Sequence, residues 1–139
     1  DEAIKPLQER IDALGYKASN YRIVDGCGLS NYNAVSPELL VAFLRFAYSQ
    51  PDIYSAIYQA LPIAGIDGTL QSRMRRGSPA YKNVRAKTGT VTGICTLAGY
   101  LTASNGHQIA FAILNQNHLA HRDARLLQDR VCEFLCGYR

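Results

Sequence analysis

No stretch of this sequence approaches the ~20 consecutive apolar residues that a membrane-spanning helix needs, and no basic-then-apolar leader pattern opens it. A transmembrane segment is therefore not expected. There is no internal repeat, linker or low-complexity tract. The 4 cysteines, Cys27, Cys95, Cys132 and Cys136, contain no pair at zinc-knuckle spacing. His118 and His121 sit three apart but read as polar residues around a helix start, so neither a metal nor a cofactor is expected. The one dense basic cluster, Arg73 with Arg75 and Arg76, has no aromatic residues interleaved for base stacking. It reads as a solvated surface turn, and nucleic acid is not an expected partner. A net charge of +4 gives at most a mild preference for anionic surroundings.

What is present describes one globular domain or part of one. Of 139 residues, 47% are hydrophobic and 19% charged, enough to bury a core and too apolar for a disordered chain. Ile4, Leu7, Ile11 and Leu14 recur at helical spacing, predicting a helix over 2–14 that ends at Gly15. Tyr21 to Val24 is a short β-like run leading into a turn-rich stretch, Asp25 to Asn33. Ser36-Pro37-Glu38 is a helix start, with Ser36 as N-cap and Pro37 at the first position. That helix is interrupted at Gln50-Pro51, and a second carries Ile53, Ile57 and Leu61 on one face. Thr69 to Met74 predicts one or two helical turns. The last helix is expected over 119–135, with Leu127, Val131, Phe134 and Leu135 inward, and with Arg125, Asp129, Glu133 and the two cysteines Cys132 and Cys136 toward the outside.

Between these helices the period changes. Asn83-Val84-Arg85 leads into Ala86-Lys87-Thr88-Gly89-Thr90, then a Gly-bounded turn at Val91-Thr92-Gly93. Apolar runs follow at 94–103 and 108–114, joined by Ser104-Asn105-Gly106-His107, whose Asn-Gly marks a tight turn. The expectation is a three-strand antiparallel meander with Lys87-Thr88-Gly89 on its first strand. Helices before and after an antiparallel sheet give an α+β fold.

Four stretches in this order resemble one family: Asp25-Gly26-x-Gly28-Leu29-Ser30 with Ser36-Pro37; Gly65-Ile66-Asp67-Gly68-Thr69-Leu70; Ala86-Lys87-Thr88-Gly89-Thr90 with Gly93 and Ala98-Gly99-Tyr100; and Ala110-Phe111-Ala112-Ile113-Leu114 with Asn115 and Asn117. They are similar to the C-terminal part of the D-alanyl-D-alanine carboxypeptidase/endopeptidases, the low-molecular-mass penicillin-binding proteins. The resemblance implies a β-lactamase/transpeptidase-like α+β fold. It also implies a periplasmic or otherwise extracytoplasmic bacterial serine peptidase, with peptidoglycan stem peptides and β-lactams as partners of the complete enzyme. Lys87 and Thr88 are then the expected anchors of the substrate carboxylate. Gly89 would admit the substrate backbone, and the Thr90 backbone N–H would be the oxyanion donor. Asp67 is a further candidate, orienting a basic group near the Lys87 strand; capping of the helix at Thr69 is the preferred reading of it. Ser30 and Asn33 read as loop-forming, and Cys27 stands where the family usually has Ser. Pairing of Cys27 with His107, His118 or His121 lacks any signal that fixes geometry.

The family's Ser-x-x-Lys and Ser-x-Asn elements are absent: no serine here has Lys three residues on or Asn two residues on. The expectation is that residues 1–139 form the C-terminal portion of a longer penicillin-binding domain and are inactive alone. The alternative is a non-catalytic wall-binding or scaffolding domain derived from the same fold. The 108–114 strand would then present an open edge, to be covered by the missing N-terminal half or by self-association.

Overall fold

The computed structural model describes residues 4–139. Helix α1 (Lys5–Ala13) carries Pro6 in its first turn, where a missing N–H costs nothing. Gly15 follows its end at φ +88°, the left-handed conformation of a helix stop. Residues 2 and 3 of the expected helix lie outside the described part of the chain. The short β-like run at 21–24 is present only as a single bridge, Arg22 to Ala34.

Ser36 caps α2 (Pro37–Tyr48), its hydroxyl accepting from the Leu39 N–H at 3.1 Å. Such a cap stabilises a helix by about 1 kcal/mol. Pro51 starts α3 (Pro51–Ala60) after the break at Gln50. The expected turns at 69–74 are realised as a short 3-10 helix, Gly68–Leu70.

Strands β1 (Arg85–Val91), β2 (Ile94–Thr102) and β3 (Gln108–Gln116) form a 3-stranded antiparallel sheet in sequence order, as the meander predicts. Val91 pairs with Ile94 across a two-residue turn in which Gly93 has φ +72°, beyond easy reach of other residues. Register sorts the side chains into two faces. Thr90 opposes Cys95 and Thr88 opposes Leu97, and these look toward α4 (His121–Cys136). Lys87, Thr96, Ala98 and Tyr100 look toward α2 and α3. Tyr100 is buried there and donates its hydroxyl to the Leu44 carbonyl at 2.7 Å. Burial pushes that phenol up to about 12.

The last helix is rolled differently from the expectation. Its buried residues are Ala124, Gln128, Cys132 and Cys136, whereas Leu127 is 51% and Phe134 75% exposed. Val131 and Leu135 are half-buried and Leu135 packs against the core as expected, so hydrophobicity misplaced only Leu127 and Phe134, where small side chains take the inner positions. Cys132 and Cys136 are free thiols inside the core cluster with Leu97, Leu101 and Phe111, not on the outer side. Burial pushes them up to about 12 and about 11. Cys95 is buried as expected.

Arg73 also departs from the expectation of a solvated turn. It is 8% exposed and lies under α4. Its guanidinium pairs with Asp129 at 2.6 Å and donates to Gln128 Oε1 at 3.1 Å and to the Arg125 carbonyl at 3.3 Å. Gln128 in turn donates to the Cys95 carbonyl at 3.0 Å and to Asn115 Oδ1 at 2.9 Å. The buried charge is tolerated because its donors are met by acceptors from a partner more than fifty residues away.

Candidate active site

One edge of β1, the strand of the expected site residues, is not paired with another strand among the described residues. At its start that edge is held by the preceding loop: Ala86 N donates to the Pro62 carbonyl at 3.1 Å and Ala64 N to the Val84 carbonyl at 2.9 Å. Backbone groups alternate along a strand. The N–H and C=O of Thr88 and Thr90 therefore point the same way as those of Ala86, out of the sheet, while Lys87 and Gly89 bond to β2. Beyond Ala86 no loop backbone among the described residues is hydrogen-bonded to this edge, and Thr88 and Thr90 line an open cleft.

The Lys87 ammonium folds over the edge and donates to the Thr88 carbonyl at 2.5 Å. The Thr88 hydroxyl donates to that of Thr69 at 2.9 Å. Gly89 lies opposite Thr96 in the register, and a side chain at 89 would run into the Thr96 hydroxyl. Its lack of a side chain thus has a structural reason beside the expected functional one.

Asp67 occupies the N-cap position of the 3-10 helix but makes no capping bond to it. Its carboxylate accepts from the Ile63 N–H at 2.6 Å, closing the loop that abuts the start of β1. Among the described residues no basic side chain lies within ion-pair distance of Asp67.

The cleft beside β1 has a volume of about 790 Å³. Lys87 to Thr90 form one wall, Thr69 and Ser72 the floor, the tip of the 25–33 loop one rim, and Arg122, Arg125 and Leu126 of α4 the other. Sequence reasoning did not bring Thr69, Arg122 and Arg125 to the cleft that Lys87 to Thr90 line. Nothing local marks Arg122 and Arg125, and Thr69 was marked only as part of the 65–70 stretch, because all three meet β1 only through the fold. Cys27 lines the rim and is exposed, but no histidine lines the cleft with it. His118 and His121 are bonded to each other at 2.8 Å instead.

The rim loop is built on one carboxylate. Asp25 accepts from the N–H groups of Gly28 and Ser30, each at 2.7 Å, and from the Asn33 amide at 3.0 Å. Asn33 Oδ1 accepts from the Val24 N–H at 2.7 Å, and Ser30 is loop-forming as expected. Asn33 first, then the Gly28 and Ser30 N–H groups, hold the Asp25 carboxyl below its ordinary range against an opposing effect of desolvation. A lowered folded value means that the ionised loop is favoured above the unfolded value, about pH 4, and loses that support as pH falls through the folded value. Hydrogen exchange should therefore show Gly28 and Ser30 amides losing protection on acidification below about pH 4, before the sheet amides do. Protection unchanged until global unfolding would rule this out.

The D-Ala-D-Ala carboxypeptidase 3 (S13) family model matches residues 1–136. The chain is 38% identical over 110 residues to the D-alanyl-D-alanine carboxypeptidase DacB of Haemophilus influenzae, covering 78% of this chain and 22% of that protein. The chain thus spans about a fifth of the length of that relative. The crystal structure of penicillin binding protein 4 from the same organism, complexed with a β-lactam, superposes with a TM-score of 0.78 at 30% identity, covering 94% of this chain and 32% of the other. An extended-spectrum β-lactamase superposes at a TM-score of 0.68 and 20% identity, covering 94% of this chain and 52% of the other, a likeness of fold alone.

Proposed function

The chain belongs to the D-Ala-D-Ala carboxypeptidase 3 (S13) family, and from that premise we propose that it is the C-terminal portion of a serine-type D-Ala-D-Ala carboxypeptidase/endopeptidase. Its fold is the penicillin-binding/β-lactamase fold. The observation that carries the reading is the free edge of β1, where Lys87, Thr88, Gly89 and Thr90 border an open cleft. A peptide laid along that edge would add to the sheet and place its terminal carboxylate among hydroxyl and cationic groups. The outward Thr90 N–H would stabilise the oxyanion as a serine attacks the penultimate carbonyl.

The serine and its lysine would come from a segment N-terminal to this one, since no serine here has Lys three residues on. Acyl transfer would then run through an ester on that serine, which water hydrolyses. Stem peptides of peptidoglycan are the substrate class, and the site of action is extracytoplasmic. No helix of the described residues is long and apolar enough to cross a membrane.

Intact mass after incubation with benzylpenicillin tests the assignment. The chain alone should gain no mass, and the full reading frame that contains it should gain one penicilloyl group. No adduct on the full reading frame would favour the scaffolding alternative. An adduct on this chain would mean that one of its own residues is a working nucleophile.

The outer edge of β3 is unpaired among the described residues, and its sequence from Gln108 to Gln116 carries no charge. Such an edge pairs with whatever strand is available. The chain alone should therefore self-associate with rising concentration in sedimentation velocity runs. A concentration-independent monomer would remove that expectation.

A further inference from the structure

Resting on the reading of β1 as the substrate strand, we propose that Thr69 is a positioning residue for that strand. Its hydroxyl fixes the rotamer of Thr88, and by exchanging donor and acceptor roles it lets the Thr88 hydroxyl turn a proton toward a ligand. Thr88 Oγ1 and Thr69 Oγ1 lie 2.9 Å apart, and this is the one side-chain hydrogen bond that either residue makes among the described residues. A threonine side chain has three staggered χ1 wells. The bond to Thr69 selects the one that sends the Thr88 hydroxyl, not its methyl group, to the floor of the cleft that both residues line.

Thr69 is held for this task by a clip closed on β1 itself. Pro62 and Ala64 are hydrogen-bonded to Ala86 and Val84 across the start of the strand, at 3.1 and 2.9 Å. The Asp67 carboxylate accepts from the Ile63 N–H at 2.6 Å. The Gly65 N–H donates to the Leu70 carbonyl at 3.0 Å, and Leu70, next to Thr69, is fully buried. Gly68 turns the clip at φ +50°, where a Cβ would lie 3.1 Å from the Pro62 ring. The clip therefore meets β1 twice, at Ala86 through Pro62 and two residues on, at Thr88, through Thr69.

Two hydroxyls joined in this way carry two protons, of which one bridges them. With the Thr88 proton on Thr69, Thr88 offers the cleft only lone pairs. When the bond reverses, the Thr69 proton bridges, and the Thr88 proton is free to meet a ligand oxygen. Both O–H groups rotate and no proton is transferred. A valine at 69 keeps the shape of the side chain and can play neither part.

The test has two arms. In the chain alone, three-bond couplings about the Thr88 Cα–Cβ bond should report a single rotamer, kept in Thr69→Ser and averaged in Thr69→Val. In the full reading frame, Thr69→Val should lower the second-order rate of penicilloylation about 5-fold, the worth of one neutral hydrogen bond, and Thr69→Ser should restore it. Thr69→Val should have no further effect in a Thr88→Val background, because Thr69 acts through Thr88, whereas a merely structural role would add to the loss. A single Thr88 rotamer in Thr69→Val, an unchanged rate, no rescue by serine, or additive losses at 69 and 88 would overturn the proposal alone. No penicilloylation of the unsubstituted frame would overturn the reading of β1, and the proposal with it.

Discussion

Asp129→Ala is expected to destabilise the protein by about 3 kcal/mol, the low end of the cost of leaving one member of a buried ion pair without its partner, because the pair lines the cleft. The Arg73 and Asp129 side chains are only 9% and 18% exposed. Once the carboxylate is gone, the Arg73 guanidinium retains two neutral acceptors, Gln128 Oε1 and the Arg125 carbonyl, and what water reaches it from the cleft it lines. The loss should spread along the network, because Gln128 also ties α4 to β2 through the Cys95 carbonyl and to β3 through Asn115.

The pair itself is a different matter from its breakage. Two charges removed from water recover little net energy from each other, so Arg73→Met with Asp129→Leu together should cost far less than Asp129→Ala alone. Urea denaturation of the two single variants and the double variant measures this. A loss below about 1 kcal/mol for Asp129→Ala would place the pair with solvent-exposed ion pairs and would contradict its burial.

Gly99→Ala should cost about 3 kcal/mol, the top of the usual range for forcing extra volume into a packed core. Gly99 is in the central strand opposite Ala86. A methyl group there would run into the Arg85 carbonyl and the Cα and Cβ of Ala86. The first two obstacles are β1 backbone, which no rotamer change moves aside. The strand that carries Lys87 to Thr90 would have to shift, so the substitution should impair the site as well as stability.

Gly89→Ala provides the contrast within the same pair of strands. Its nearest obstacle is the Thr96 hydroxyl, the end of a side chain that can turn away. It should be milder than Gly99→Ala, and Thr96→Ala should relieve it. Chemical denaturation of the three variants decides the order. Equal losses at 89 and 99 would mean that backbone crowding is not what Gly99 avoids.

Where sequence reading succeeded, the signal was local. The apolar runs, Asn105-Gly106 and the Gly93 turn marked a three-strand antiparallel meander whose order the structure bears out. Ser36-Pro37 placed a helix start to the residue. The ordered motifs from Asp25 to Asn117 placed the chain in its family, to which the match over residues 1–136 agrees. Each of these rests on residues within a few positions of one another, where backbone sterics and capping bonds act directly.

Only the tertiary structure decided how α4 is rolled. Leu127 and Phe134 are more hydrophobic than Ala124 or Cys132, but a helix packed on a sheet is positioned by the space between them, and small side chains allow the closer approach. Arg73 looked like any exposed arginine because the carboxylate that makes its burial tolerable lies on α4, far along the chain. For the same reason Arg122 and Arg125 carried no mark in the sequence as neighbours of Lys87 to Thr90. The sequence by itself determined the elements and the family; the fold determined which side chains face one another, because burial, ion pairing and the two sides of a strand are properties of what packs against a residue.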